Sequence, residues 1–91
     1  MREVIVWPTV RNILWQNLDK ECYENVCARL VAQLERQYER LQSNRHPDDE
    51  TIFVFTLYQI DGEKRHTFEF HVDDTMADTS LFVLNVVHTV E

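Results

Sequence analysis

TVRNILWQNLDKECYENVCARLVAQLERQYERLQS, residues 9–43, contains neither glycine nor proline, and whether it forms one helix or two decides the fold. Tyr23, Val26, Cys27, Leu30, Leu34, Tyr38 and Leu41 recur at the three- and four-residue spacing of a helical stripe. Val10, Leu14 and Leu18 form a second stripe, with Ile13 at its edge. Leu14 and Tyr23 would lie roughly 180° apart on one straight helix, so a single helix cannot bury both stripes against one sheet. A break near Asn17–Asp19 removes the conflict. Asp19 then serves as N-cap, Glu21 and Glu24 lie near the positive end of the new helix dipole, and Arg36, Arg40 and Arg45 lie toward its negative end.

The flanks of this helical hairpin read as strands. EVIVW (residues 3–7) is a β-branched run stopped by Pro8, and NRHPDDE (44–50) is a loop in which Pro47 prevents helix continuation. TIFVFTLYQI (51–60) is apolar on both faces, as a central strand would be. Asp61-Gly62 reads as a two-residue hairpin turn, EKRHTFEFHV (63–72) as the next strand and SLFVLNVVHTVE (80–91) as the last. The expected fold is α+β, a single domain over residues 1–91 in the order β-α-α-β-β-β, with a helical hairpin on one face of an antiparallel sheet. The alternative is a cystatin-like single long helix across such a sheet, which the phase break disfavours. Trp7 and Trp15 are expected to clamp the short helix to the sheet.

Hydrophobic residues make up 44% of the chain, enough for a core and too many for a disordered chain. No apolar run approaches the roughly 18 residues that span a bilayer, and the expected location is the cytoplasm. Acids outnumber bases sixteen to nine, for a net charge of −7, which disfavours direct nucleic-acid binding and favours a basic or peptide-like partner. Cys22 and Cys27 would point roughly 140° apart on a helix, so they form no disulfide, and their spacing is no zinc signature. No metal or cofactor is expected.

With Asp61-Gly62 as the turn residues, Phe55 faces Phe68, Phe53 faces Phe70 and Leu57 faces His66. Two registers compete for the last hairpin. The favoured one buries Phe82, Leu84 and Val86 and sets His88 beside His66. The slipped one buries Leu81, Val83 and Val87 together with Asn85, and carries His88 to the other face beside Arg65 and Tyr58. In either case Tyr58, Lys64, Arg65, His66 and His88 gather at one end of the sheet. Asp48, Asp49, Glu50, Asp73, Asp74 and Asp78 gather at the other.

Two kinds of site follow. Tyr58, Arg65 and His88 supply a cation and a general acid or base if the chain is an enzyme, and no nucleophile or phosphate loop accompanies them. Tyr58, Arg65, Thr67, Glu69 and His71 would form a contact face for a protein partner, with Asp48, Asp49, Asp73 and Asp74 as acidic contacts. His46 and His71 face solvent with nothing in the sequence to link them. A homodimer is one option for assembly.

EVIVWP running into a short helix, the helical hairpin, FTLYQIDGE and the terminal FVLNVVH together resemble the RelE/ParE superfamily, the toxins of bacterial toxin–antitoxin modules. The resemblance implies either a ribosome-dependent endoribonuclease using Arg65, Tyr58 and His88, or a protein that acts by contact and is wrapped by an antitoxin segment. The order Trp7-Pro8-Thr9 departs from the usual Trp-Ser/Thr-Pro, and no arginine follows His88. These departures, with the acidic charge, favour a protein-binding domain over the endoribonuclease. A third expectation is an acidic inhibitor of the kind mobile elements encode, directed at a basic site on an enzyme.

Overall fold

A computed structural model describes residues 2–91. The elements are β1 (Glu3–Val6), α1 (Pro8–Asn17), α2 (Lys20–Leu41), β2 (Arg45–His46), β3 (Asp49–Asp61), β4 (Lys64–Asp73) and β5 (Ser80–Val90). The break between the helices falls where the phase argument puts it. Leu18 is extended (φ −128°, ψ 150°), and the Asp19 carboxylate accepts a 2.8 Å hydrogen bond from the Cys22 N–H to cap α2. Pro8 opens α1, where its missing N–H costs nothing. The turn at Leu18 re-phases the chain, so Val10, Leu14 and Leu18 and also Val26, Leu30 and Leu34 reach one core.

The five strands form one sheet in the order β1-β5-β4-β3-β2. Neighbours from β2 to β5 are antiparallel, while β1 runs parallel to β5, so the sheet is mixed rather than purely antiparallel. Asp61 pairs with Lys64, which makes Gly62 and Glu63 the turn residues in place of Asp61 and Gly62. Only Gly62 has positive φ (63°), the pattern of a turn that wants glycine first. Phe55 therefore faces Phe70 rather than Phe68, Phe53 faces Val72, and Leu57 faces Phe68. A shift of two residues moves neighbours but keeps each side chain on its face.

At β5 neither competing register is realised as a pairing, since Val90 rather than His88 stands opposite His66, but the facing pattern of each holds over half of the strand. His88 pairs with Phe68 and Val86 with Phe70, but Val83 pairs with Val72, leaving Leu84 as an unpaired bulge residue. Val86 is buried as in the favoured register, and Leu81 and Val83 are buried as in the slipped one. Phe82 and Leu84 are only half-buried, and Asn85 is exposed, so no bare amide enters the core.

Trp7 and Trp15 do not clamp α1 to the sheet. They are 40% and 58% exposed, and Trp15 meets Tyr23 of α2 edge-on at 5.1 Å. Both helices lie on the face that carries Phe53, Phe55, Leu57, Phe68 and Phe70, and among the described residues the other face carries no helix. Because Leu14 and Leu30, one from each helical stripe, are fully buried, Leu14→Ala and Leu30→Ala should each lower stability by about 2–5 kcal/mol in urea unfolding. A single straight helix would leave one of the two substitutions nearly silent.

Candidate functional site

Alternation along β3 and β4 sends Tyr58, Arg65, Thr67, Glu69 and His71 to the helix-free face. The Arg65 guanidinium sits 4.8 Å from the centre of the Tyr58 ring, a cation–π contact that holds both side chains down on the sheet. Tyr58 (49%) and its neighbour Ile60 (61%) stay exposed there, as does Val87 (46%) farther off on β5. His71 Nε2 lies 2.9 Å from Glu69 Oε2, and the His46 ring meets the His71 ring edge-on at 5.1 Å. The sequence offers no link between these histidines because β2, which delivers His46, is two residues long and leaves no periodicity.

His88 is on the other face. It lies with His66 at the end of the core row, His66 Nδ1 2.9 Å from His88 Nε2, and both rings run nearly parallel to Phe68. The trio of His88, Arg65 and Tyr58 is thus divided by the sheet. His66 is 4% exposed, and among the described residues its Nε2 has no partner. A buried N–H without an acceptor is costlier than a bare lone pair, which assigns the proton to His66 Nδ1 and makes His88 Nε2 the acceptor. The His88 lone pair that a general base would use is therefore occupied. Burial and then His66 hold the His88 pKa below the ordinary 6.5. A lowered histidine pKa means that unfolding takes up a proton, so the contribution is full above pH 6.5 and falls away as pH drops through and below that value. Stability should decline between about pH 7 and 5, and His88→Phe should flatten that slope in pH-dependent urea unfolding.

The acidic end divides into solvated and occupied groups. Asp48, Glu50 and Asp78 are exposed, as is Asp49. The Asp49 carboxylate accepts from the Thr51 hydroxyl and N–H, and these bonds lower its pKa. Asp73 and Asp74 are each 8% exposed. Asp73 accepts from the Thr75 N–H and hydroxyl and from the Met76 N–H, closing the β4–β5 turn. Asp74 takes two 2.8 Å bonds from the Arg45 guanidinium and a 2.8 Å bond from the Tyr38 hydroxyl, tying β2 and α2 to that turn. Little of either carboxylate is left for a partner. This contact is not legible in the sequence, where Arg45 reads as a cation at the negative end of the α2 dipole.

Arg45 holds the Asp74 carboxyl below its usual 3.8, so the ion pair's contribution is present above pH 3.8 and is lost as pH falls below it. Arg45→Ala should cost about 2 kcal/mol, less than a fully buried pair because the Arg45 side chain is 30% exposed. The difference from wild type in urea midpoint should shrink as the pH is taken below that of carboxylate titration.

Among the described residues one group could hold a cation: Asp19, Cys22 and Asp61, with donor atoms within 4.8 Å of one another. Those donors already have work in the fold. Asp19 caps α2, and Gln59 Nε2 lies 3.6 Å from Cys22 Sγ. Burial, then Asp19, push the Cys22 thiol pKa up, away from the thiolate a metal needs. Among the described residues no helix is long and apolar enough to cross a membrane. Compared with protein-family models, with curated proteins and with solved structures, the chain matches none of them.

Proposed function

We propose that the chain is a small protein-binding domain, toxin-like in the RelE/ParE sense, that acts by contact through the helix-free face of its sheet. One observation carries this reading. On a sheet face that no helix covers, Arg65 is stacked over an exposed Tyr58 beside an exposed Ile60. An aromatic ring, an arginine and apolar neighbours held in place are the composition of an interface centre. The helical hairpin followed by a three-strand antiparallel meander (β3 to β5) supports the toxin-like part of the reading. Contact rather than catalysis is favoured because His88 lies across the sheet from Arg65 and Tyr58, with its lone pair engaged by His66.

The test uses the product of any small reading frame found to adjoin this gene, as toxin–antitoxin pairs are arranged. Titrated calorimetrically, the complex should lose about tenfold or more in affinity with Tyr58→Ala or Arg65→Ala, while His88→Ala leaves it unchanged. Unaltered binding by both face variants would remove this surface. Growth arrest on expression that His88→Ala abolishes would instead establish the endoribonuclease.

A further inference from the structure

The outer edge of β3 is only partly covered. The two residues of β2 pair with Phe53 and Asp49, and Asn44 adds a 2.9 Å backbone bond from the Val54 N–H and a 2.8 Å bond from its own amide to the Val54 carbonyl. Beyond Val54 no strand follows. The β4 ladder closes at the Asp61–Lys64 pair and so uses the backbone groups of the odd-numbered β3 residues, which turns those of Thr56, Tyr58 and Ile60 outward. Arg29 Nη1 donates to the Tyr58 carbonyl and Gln59 Nε2 to the Ile60 carbonyl, each at 2.9 Å. Among the described residues no protein partner is found for the N–H groups of Thr56, Tyr58 and Ile60 or for the Thr56 carbonyl. The edge is short of acceptors and rich in donors.

Charge beside it has the same sign. A groove of about 670 Å³ runs between Val54–Thr56 and α2, lined on the helix side by Gln33, Gln37 and Arg40. It adjoins a hollow of about 200 Å³ that shares Gln33 and Gln37 and adds Arg29 and Arg36. No carboxylate lines either, in a chain whose acids outnumber its bases sixteen to nine. The β1 edge is different: it is four residues long, and the nearby hollow sets Arg2 and Arg36 against Glu35 and Glu39.

We propose that the β3 edge is a docking site for an extended acidic segment of another protein, added as an outer strand along Thr56–Ile60. Its backbone carbonyls accept from the Thr56, Tyr58 and Ile60 N–H groups. Alternate side chains of an added strand fall on the helix side of the sheet, where carboxylates meet Arg40 and Arg29. Arg29 can exchange the Tyr58 carbonyl for such a carboxylate, freeing that carbonyl for the new strand. A second copy of the chain fits less well, because edge-to-edge pairing across a two-fold axis brings the arginines of both copies together. The edge adjoins the helix-free face but binds through backbone groups and the arginines of α2 rather than through the Tyr58 and Arg65 side chains, so the proposal stands whether or not the toxin-like reading does.

A short capped peptide alternating glutamate with threonine and valine is the probe, followed by fluorescence anisotropy and by amide hydrogen exchange on the folded chain. On saturation the Thr56, Tyr58 and Ile60 amides should exchange at least about tenfold more slowly, and added salt should weaken binding. Thr56→Pro removes an outward N–H that the fold does not use and should abolish binding. Arg40 is exposed, so Arg40→Glu should leave the fold intact and reduce affinity about tenfold, which keeps the proposal testable if Thr56→Pro fails to fold. Equal binding of a peptide with lysine in place of glutamate overturns the proposal. So does protection appearing at Val4 and Val6 instead, no protection at millimolar peptide, or protection of the β3 amides by dimerisation without peptide. None of these outcomes bears on the adjoining-gene titration at Tyr58 and Arg65.

Discussion

Leu84 has no partner across the β4–β5 ladder, and much of the molecule turns on that one unpaired residue. A regular strand shows alternate residues to the core, and β5 cannot satisfy that rule in a single register. Its first half offers Leu81 and Val83 and its second half Val86, which are out of phase by one. The bulge absorbs the difference. It lets the first half pair with β1 through Leu81–Val4 and Val83–Val6 while the second half continues the row of Phe68 and Phe70. It also puts Asn85 outside and His88 inside. The face on which a histidine lies, and with it the choice between a catalytic trio and a structural pair, follows from one extra residue two turns of the pleat away.

The helical half was legible because its signals are redundant. Stripe phase, the N-cap aspartate and the absence of glycine and proline all point to the same break, and Leu18 and Asp19 make it. The sheet was legible in outline and less so in register. A dipeptide such as Asp61-Gly62 marks a turn but does not say whether the glycine is the first or second turn residue, and that choice shifts every pair by two. A bulge has no composition of its own, so each whole-strand register predicts the facing of only half of β5, and the pairs themselves lie two residues away from both. The parallel pairing of β1 is not visible in the sequence at all, since a short run such as Val4-Ile5-Val6 suits either direction.

The candidate site shows the same division. Residues spaced two apart on one strand, Arg65 to His71, were assigned to a common face correctly because alternation is local. Contacts that depend on three elements meeting were not assignable. Asp74 with Arg45 and Tyr38 is one, and His46 against His71 is another. In both, a two-residue strand supplies the missing partner. The acidic end looked like a uniform surface in sequence, and burial splits it into carboxylates that hold the fold and carboxylates that face water.

The parallel ladder between β1 and β5 has a consequence for assembly. Glu3 lies beside Ser80, so β1 closes against a strand that is made only after both helices and the β3–β4 hairpin. Helix formation and the β3–β4 hairpin need only nearby residues and can proceed early. The β1 segment EVIVW must wait, with a β-branched edge and no neighbour, until β5 emerges. Closing so long a loop is slow, and a waiting apolar strand is where a folding chain is most prone to pair with the wrong molecule. The sheet is completed last at the edge that was made first.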